Sequence, residues 1–555
     1  MTRKDLVELM FPDVTLTKED YEKKYPPRDL PEGAIVTRCA PSPTGLLHMG
    51  NLRSFVIAEK VAKDTNGVFY LRIEDTDGKR TIENGIQKII DAIHNFDIQI
   101  DEGVISQDEQ KGSYGPYIQT QRKEIYDAYA KYMIENDLAY PCFCNEEEIE
   151  DTRKNQEGRK ERIGYYGKYA HCRHMSIDEA YEKIKNGAKY VVRIKSQGDY
   201  DKRIVIDDLV KGKVVFPEND IDHVLIKSDG IPVYHFAHIV DDHLMRTTHI
   251  LRGEEWLSST PLHLELFKMF GYKPPKYAHL GLVLKVDEDG SKRKLSKRKD
   301  PEASLSYYHE KGIPVTAVKL YLMTIANTNF EEWMDHNPDK TMDDFKFSFK
   351  KMSASGSLFD LEKLLNISKN YISKLTKEEV YNYALTWAQE FDPDFAKLLQ
   401  NYKDYSMSIF NIEREQKKPR KDYASFSEIK DQIWYMYDEL FVGELDYNFA
   451  KINDANEIEE ILNTYINEYY DENDDKDTWF NKIKLLTDSL GYCSNMKEYK
   501  QNPNNYKGNV ADISTVIRVA LTTSTMTPDL YEISKLLGKD RLRARFTKAI
   551  NTIKK

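Results

Sequence analysis

Cysteine is scarce. Five thiols in 555 residues rule out a disulfide-stapled scaffold and fit a reducing compartment. Apolar runs are short as well: nowhere do about 18 uncharged apolar residues follow one another, so no membrane-spanning helix is expected. The first eleven residues carry Lys4, Asp5 and Glu8 where a secretory leader needs an apolar core. No G-x-x-x-x-G-K-[ST] phosphate loop occurs, which argues against a P-loop nucleotidase. No motif recurs at a period of 20–50 residues, which argues against a solenoid. What remains, with 40% hydrophobic and 31% charged residues, is expected to be a soluble cytoplasmic chain of several domains. The net charge of −11 does not decide the question of a nucleic-acid partner, because binding needs only a local basic face. Acid is dense over 446–477, while 291–299 and 417–421 concentrate base.

Residues 1–33 read as a short helix over 4–11 and a polar arm stopped by Pro26-Pro27. Residues 35–40 have strand character and lead into the turn-rich Pro41-Ser-Pro-Thr-Gly45. A helix over 51–66 follows, with Phe55, Ala58, Val61 and Ala62 on one face and Asn66-Gly67 as its stop. A second apolar strand over 68–73 completes a βαβ unit, and hence predicts a parallel sheet. Helices over 122–138 and 177–186, with strands over 190–194 and 204–206, form a mixed segment inserted in that sheet domain. The βα pattern resumes over 221–249, with a further helix over 261–270. Beyond about 300 the pattern is mostly helical, as over 378–391 and 458–470.

Three constellations carry chemistry. In Pro41-Ser-Pro-Thr-Gly-Leu-Leu-His48-Met-Gly50-Asn51, a glycine lets a ligand approach the backbone at a helix N-terminus, and His48 is placed to donate to a phosphate oxygen. The same loop reads equally as an ordinary strand–helix connection whose histidine is a cap. In Ser291-Lys-Arg-Lys294-Leu-Ser-Lys297-Arg-Lys-Asp300, two ammonium groups and a hydroxyl can converge on a triphosphate. The alternative is a solvated or general nucleic-acid-binding loop. Cys142, Cys144, Cys172 and His174 make up a Cys₃His set suited to a structural zinc, against the alternative of buried, inert thiols; Cys39 and Cys493 have no partner spacing.

The first two motifs resemble the HIGH and KMSKS signatures of class I aminoacyl-tRNA synthetases. Their surroundings resemble the glutamyl-tRNA synthetases: Thr37-Arg38-Cys-Ala-Pro-Ser42, Leu71-Arg-Ile-Glu74-Asp-Thr-Asp77, Gly115-Pro-Tyr-Ile-Gln119, Ser228-Asp-Gly-Ile-Pro-Val-Tyr234, Val240-Asp-Asp-His-Leu-Met245 and Leu251-Arg252-Gly-Glu-Glu255-Trp256. The likeness runs in order over 34–375 and returns faintly over 520–538; residues 1–33 lie outside it. Two departures are Asn51, where the HIGH motif ends in His, and His238, where relatives often carry Asn.

The resemblance implies an α/β Rossmann-like (HUP-type) catalytic domain with an α+β insert, followed by mostly helical stem-contact and anticodon-binding domains. The implied boundaries are 1–33 extension, 34–121 first catalytic half, 122–212 acceptor-end insert, 213–300 second catalytic half, 301–375 stem contact and 376–555 anticodon binding. The implied activity is a glutamate–tRNA ligase, a monomer using ATP and Mg²⁺ on tRNA-Glu, with zinc in the insert. Glutamate would be held by Arg38, Ser42, Glu74, Tyr234, His238 and Arg252, of which Arg252 supplies the fork for the side-chain carboxylate. Arg72, Glu74, Asp75 and Asp77 could instead be salt bridges at a strand end. ATP would meet His48, Gly50, Glu255, Trp256, Lys294 and Lys297. Arg420 and Lys421, near Arg414, Lys417, Lys418 and Tyr423, are candidate tRNA contacts, as are Arg541, Arg543 and Arg545. The rivals are a glutaminyl enzyme, a base-modifying glutamyl transferase and a non-catalytic tRNA-binding paralogue. The helical C-terminus, its length and the intact motifs respectively disfavour them.

Overall fold

The computed structural model describes residues 1–555, which form two compact units: 1–308 with 318–361, and 309–317 with 362–555. No helix is long and apolar enough to cross a membrane.

In the first unit the strand Val36–Cys39 is buried along its whole length and pairs in parallel with Val68–Leu71, Val36 opposite Val68 and Cys39 opposite Leu71. Strands covered on both faces read as continuous apolar runs, which is why both are rich in β-branched and aromatic residues. The helix Met49–Lys63 connects them, and Asn66 in the left-handed region (φ 52°) turns the chain back to the sheet. Glu102–Val104 extends the sheet in parallel and Gln110–Lys111 closes that edge antiparallel.

On the other side, His249–Gly253 pairs in parallel with Lys276–Leu280. Thr248 joins this pair to the first: its N–H donates to the Val36 carbonyl at 3.0 Å, and its hydroxyl accepts the Val36 N–H at 2.8 Å. The order therefore reverses at Val36–Cys39. In such sheets ligands bind in the crevice beyond the carboxyl ends of the two strands flanking the reversal. Here those ends are Cys39 and Gly253.

The insert carries an antiparallel sheet of Ala139–Cys142, Val191–Ile194 and Val224–Ile226, the last strand extending it past the expected end at 212, with helices Lys123–Glu135, Glu146–Gly158 and Ile177–Lys185 around it. A separate hairpin pairs Arg203–Asp208 with Gly212–Pro217. A second hairpin, Val283–Val286 with Lys292–Lys294, presents the basic motif at its end. The N-terminal arm holds two helices, Arg3–Met10 and Lys18–Lys24, each started by a Thr–Asp capping box. Arg28 clamps it to Glu102 through bonds of 2.8 and 3.0 Å, and Glu22 meets His243 at 2.6 Å and Arg246 at 2.9 Å.

The second unit is helical throughout, with one isolated bridge between Cys493 and Asn509. Its core, including Leu399, Phe410, Leu462, Ile517, Leu542 and Phe546, joins helices from 361 to 553.

Candidate active site

His48 is the N-cap of the helix Met49–Lys63. Its Nδ1 accepts the Asn51 N–H at 3.2 Å, and the Asn51 side chain accepts the His48 N–H at 3.1 Å. The two readings of the loop therefore coexist: the histidine is a cap, and with Nδ1 engaged its proton sits on Nε2, where it can donate into the crevice. Burial, reinforced by Lys297 and Lys294, lowers the His48 pKa to about 4, so the ring is a neutral donor at neutral pH. A Cβ on Gly50 would lie 2.9 Å from His48 Cε1, so only glycine lets the ring keep this position.

His48, Gly50, Glu255 and Lys294 line one cleft of ≈ 100 Å³, with Arg53, Gly281 and Leu295. Lys297 arches over the first loop, its ammonium donating to the Leu46 carbonyl. Arg53 was not legible as a site residue. It is 4% exposed, donates to the Gly281 carbonyl, and burial lowers its pKa to about 10. The one signal was a cation on the face that otherwise reads Leu52, Phe55 and Val56.

Trp256 does not line this cleft. It follows Glu255 in the 3₁₀ helix Glu254–Ser259, where successive residues turn by about 120°. Its ring packs 4.1 Å from that of Tyr234, on the side of Arg252.

Arg252, on the strand His249–Gly253, is 6% exposed and makes no ion pair with any carboxylate of the protein. Tyr234 accepts from it at 3.3 Å, and His238 lies 3.5 Å away. Arg38 and Arg72 beside it, by contrast, are paired with carboxylates. Asp242 receives Arg38 at 3.1 Å, Arg72 at 2.8 Å and His238 at 2.5 Å, while Arg72 also bonds Glu74 at 2.9 Å. Burial would raise the Asp242 pKa, but Arg38, Arg72 and the His238 bond hold it well below the carboxylate range. Arg38, Arg72, Asp242 and Glu74 together carry no net charge, while Arg252 has no carboxylate in direct contact, the buried Asp208 reaching it only through His279. Arg72 and Asp242 are thus parts of the site's foundation that sequence reading did not place there.

Of the strand-end acids, Asp75 accepts from the Thr120 backbone at 2.9 Å and hydroxyl at 2.6 Å, and Asp77 pairs with Arg80 at 2.5 Å. Asp77 is thus a local salt bridge, while Asp75 ties the strand end to Thr120 without an ion pair. Glu74 gives one oxygen to Arg72. Ser42 is half-buried on the loop after Cys39.

Cys142, Cys144 and Cys172 lie with their sulfurs within 4.8 Å of one another, Cys144 and Cys172 at 3.7 Å. Zn–S bonds of about 2.3 Å at tetrahedral angles require an S···S edge of about 3.8 Å, so the thiols fit zinc. His174 is outside this group: it ends the 3₁₀ turn His171–His174 exposed to solvent, two residues past the buried Cys172. The Tyr165 hydroxyl is there instead, 3.4 Å from Cys142 and 3.3 Å from Cys144. Hydrogen bonds from Cys144 and Cys172 depress the Cys142 pKa, which favours its thiolate.

In the helical unit the basic clusters are mostly engaged internally. Arg414 donates to the Phe410, Ile372 and Leu375 carbonyls, and Arg545, 3% exposed, to those of Tyr435 and Leu521. Arg420 pairs with Asp422 at 2.5 Å and Glu413 at 3.5 Å, and Tyr423 is buried. Lys421 is exposed.

Comparison with known proteins agrees with this geometry. Residues 34–366 match the family described as tRNA synthetases class I (E and Q), catalytic domain, and residues 417–550 match an anticodon binding domain. The chain is 47% identical over 550 residues to the glutamate–tRNA ligase of Clostridium perfringens (strain SM101 / Type A), covering 99% of each. To that of Acetivibrio thermocellus it is 45% identical over 551 residues, covering 99% of this chain and 100% of the other. The crystal structure of a glutamate tRNA ligase from Elizabethkingia meningosepticum, in complex with its amino acid, superposes with a TM-score of 0.75 at 25% identity, covering 94% of this chain and 99% of that one. A reversal-point crevice bearing both signature motifs, and likeness along almost the whole length, lead to one conclusion: the chain belongs to the class I tRNA synthetase family, in its glutamyl and glutaminyl branch.

Proposed function

We propose that the protein is a glutamate–tRNA ligase that activates L-glutamate with ATP and transfers it to the terminal ribose of tRNA-Glu, as a cytoplasmic monomer. The observation that carries this reading is Arg252, a buried guanidinium without a carboxylate partner. A cation left so costs several kcal/mol. At neutral pH free glutamate has a net charge of −1 and glutamine of zero, so only the acid offers Arg252 a carboxylate in direct contact. Tyr234, which accepts from Arg252, keeps its own O–H for a carboxylate oxygen. Glu74, with one oxygen on Arg72, offers the other to the substrate ammonium, and Arg38 and Ser42 border the same crevice.

His48 Nε2–H and the helix start donate to the phosphates, with Lys294 and Lys297 above them and Glu255 on the nucleoside side. The glutamate α-carboxylate attacks the α-phosphorus, pyrophosphate departs, and the ribose 2′-OH then attacks the carbonyl carbon of the mixed anhydride, breaking its acyl–phosphate bond and releasing AMP. No protein nucleophile is needed; positioning and charge stabilisation supply the rate. Mg²⁺ bound with the ATP would add charge neutralisation to that supplied by Lys294 and Lys297. Cys142, Cys144, Cys172 and the Tyr165 hydroxyl would hold zinc as a structural brace of the insert.

The test is charging of tRNA-Glu and tRNA-Gln transcripts with labelled glutamate and, separately, glutamine. Glutamate on tRNA-Glu is the expected result; glutamate on both would mark a non-discriminating enzyme. Glutamine accepted in preference, or neither amino acid accepted by protein that still binds tRNA, would overturn the reading.

A further inference from the structure

Every acceptor around Arg252 is uncharged. Nε donates to His279 Nε2 at 3.0 Å. One terminal nitrogen faces the Tyr234 hydroxyl and His238 Nε2; the other faces His263 Nδ1 at 3.2 Å, the Thr260 hydroxyl at 3.1 Å and the Trp256 carbonyl at 3.4 Å. A guanidinium only donates, so each of the three imidazoles must turn a lone pair toward it and carry its proton on the far nitrogen. Each far nitrogen is held in turn. His279 Nδ1 is 2.6 Å from Asp208, His238 Nδ1 is 2.5 Å from Asp242, and His263 Nε2 is 2.9 Å from His235 Nδ1. Asp208 is itself anchored by the N–H groups of Val210 at 2.9 Å and Lys211 at 2.8 Å. His263, His279 and Asp208 are all at most 3% exposed. Burial lowers the pKa of His279 and His263 and brings that of His238 to about 3, so the rings stay neutral.

The usual way to bury an arginine is to set it against a carboxylate. Here both nearby carboxylates, Asp208 and Asp242, stand one imidazole away. The histidines complete the hydrogen bonds of the cation without cancelling its charge.

We propose that Asp208, His279, His263 and His235 are positioning residues for side-chain specificity: they fix Arg252 through neutral acceptors, and so keep it free of any directly contacting carboxylate of the protein, a place that a carboxylate side chain satisfies and a carboxamide does not. The inference rests on the pocket receiving glutamate, as proposed above. It gives the tautomers a functional sign. An asparagine at 208 can offer its amide hydrogens to His279 Nδ1, which moves the ring proton to Nε2 and sets N–H against the Arg252 N–H.

The test measures KM for glutamate, KM for ATP and the kcat/KM ratio of glutamate to glutamine in the full-length protein with tRNA-Glu, together with melting temperature. His263→Glu, which places a carboxylate beside Arg252, should lower kcat/KM for glutamate about 100-fold and the preference over glutamine at least about tenfold, with the ATP KM within about twofold. His263→Gln, a neutral acceptor, should lose about tenfold less than His263→Glu. Asp208→Asn should raise the glutamate KM about tenfold, and Asp208→Glu should recover part of that loss. The inference is overturned if His263→Glu is no worse than His263→Gln at equal melting temperature. Glutamate and ATP constants rising together in all four variants would overturn it too, since that marks a merely structural role. Native protein that charges no glutamate would overturn the ligase reading itself, and this inference with it.

Discussion

Asp300 grips Arg293 through two hydrogen bonds, 2.6 Å to Oδ2 and 2.8 Å to Oδ1, and with the same Oδ2 accepts the Ser296 N–H at 2.9 Å. The carboxylate thus pins both shoulders of the loop that carries Lys294 and Lys297. The Arg293 bonds hold its pKa far below the usual carboxylate range, so the clamp stays charged at any working pH. Asp300→Ala should slow adenylate formation about tenfold, short of the 10²–10³ expected for Lys297→Ala, which removes a charge contact outright. ATP–pyrophosphate exchange with tRNA present measures both. A wild-type rate in Asp300→Ala would show that the loop needs no clamp.

Gly50 should tolerate no side chain. In Gly50→Ala the new methyl meets the His48 ring, which must leave its Asn51 cap to escape. Loss of a cap costs about 1 kcal/mol of stability. The larger effect should be on ATP, with KM rising about tenfold as the Nε2 donor swings away. An unchanged ATP KM would place the histidine outside the phosphate path.

Metal content separates the two fourth-ligand candidates of the insert. Protein purified without chelator should hold one zinc per chain. Cys172→Ser should lose it and lower the melting temperature, Tyr165→Phe should weaken it, and His174→Ala should keep it. Zinc lost from His174→Ala but retained in Tyr165→Phe would reverse the assignment.

The pH response should be confined to one unit. Burial lowers the pKa of His48, His223 and His249 to about 4 and of His238 to about 3, and all four lie in the unit of 1–308 with 318–361. The helical unit contains a single histidine, His309. A depressed histidine pKa means that the unfolded chain binds the proton first. Its stabilising effect is whole above about pH 6.5 and falls as pH drops toward 4. Hydrogen exchange corrected for intrinsic rate should therefore accelerate in Tyr234–Leu244 between pH 7 and 5, and much less in Val510–Thr522. Equal acceleration in both helices would contradict the buried-histidine account.

Much of this fold was legible because local patterns and packing agree. The strands over 35–40 and 68–73 and the intervening helix appear as Val36–Cys39, Val68–Leu71 and Met49–Lys63, and the helix over 177–186 as Ile177–Lys185. The helix Lys18–Lys24 in the polar arm was missed, because its only apolar residue is Tyr21 and its start is a Thr–Asp box without an apolar stripe. In the site, His48, Gly50, Glu255 and Lys294 stand out in the chain because their motifs are continuous in sequence. Asp208, His263 and His279 do not: they belong to no continuous motif, and only the folded sheet brings them to Arg252. His174 illustrates the converse. Cysteine and histidine spacing names candidate ligands, but a 3₁₀ turn decides which of them faces inward.

The bond from Thr248 to Val36 spans 212 residues. The two halves of the parallel sheet therefore cannot meet during synthesis until the whole insert has left the ribosome. Closing so long a loop is entropically slow, and parallel pairing gives no local reward beforehand. The insert, whose antiparallel strands lie much closer together in the chain than Val36 and Thr248, can form first and bring the two halves within reach of each other. Substitutions in the insert far from the crevice, such as at Asp222 under Tyr140 and Arg173, should then show in refolding rate before they show in catalysis.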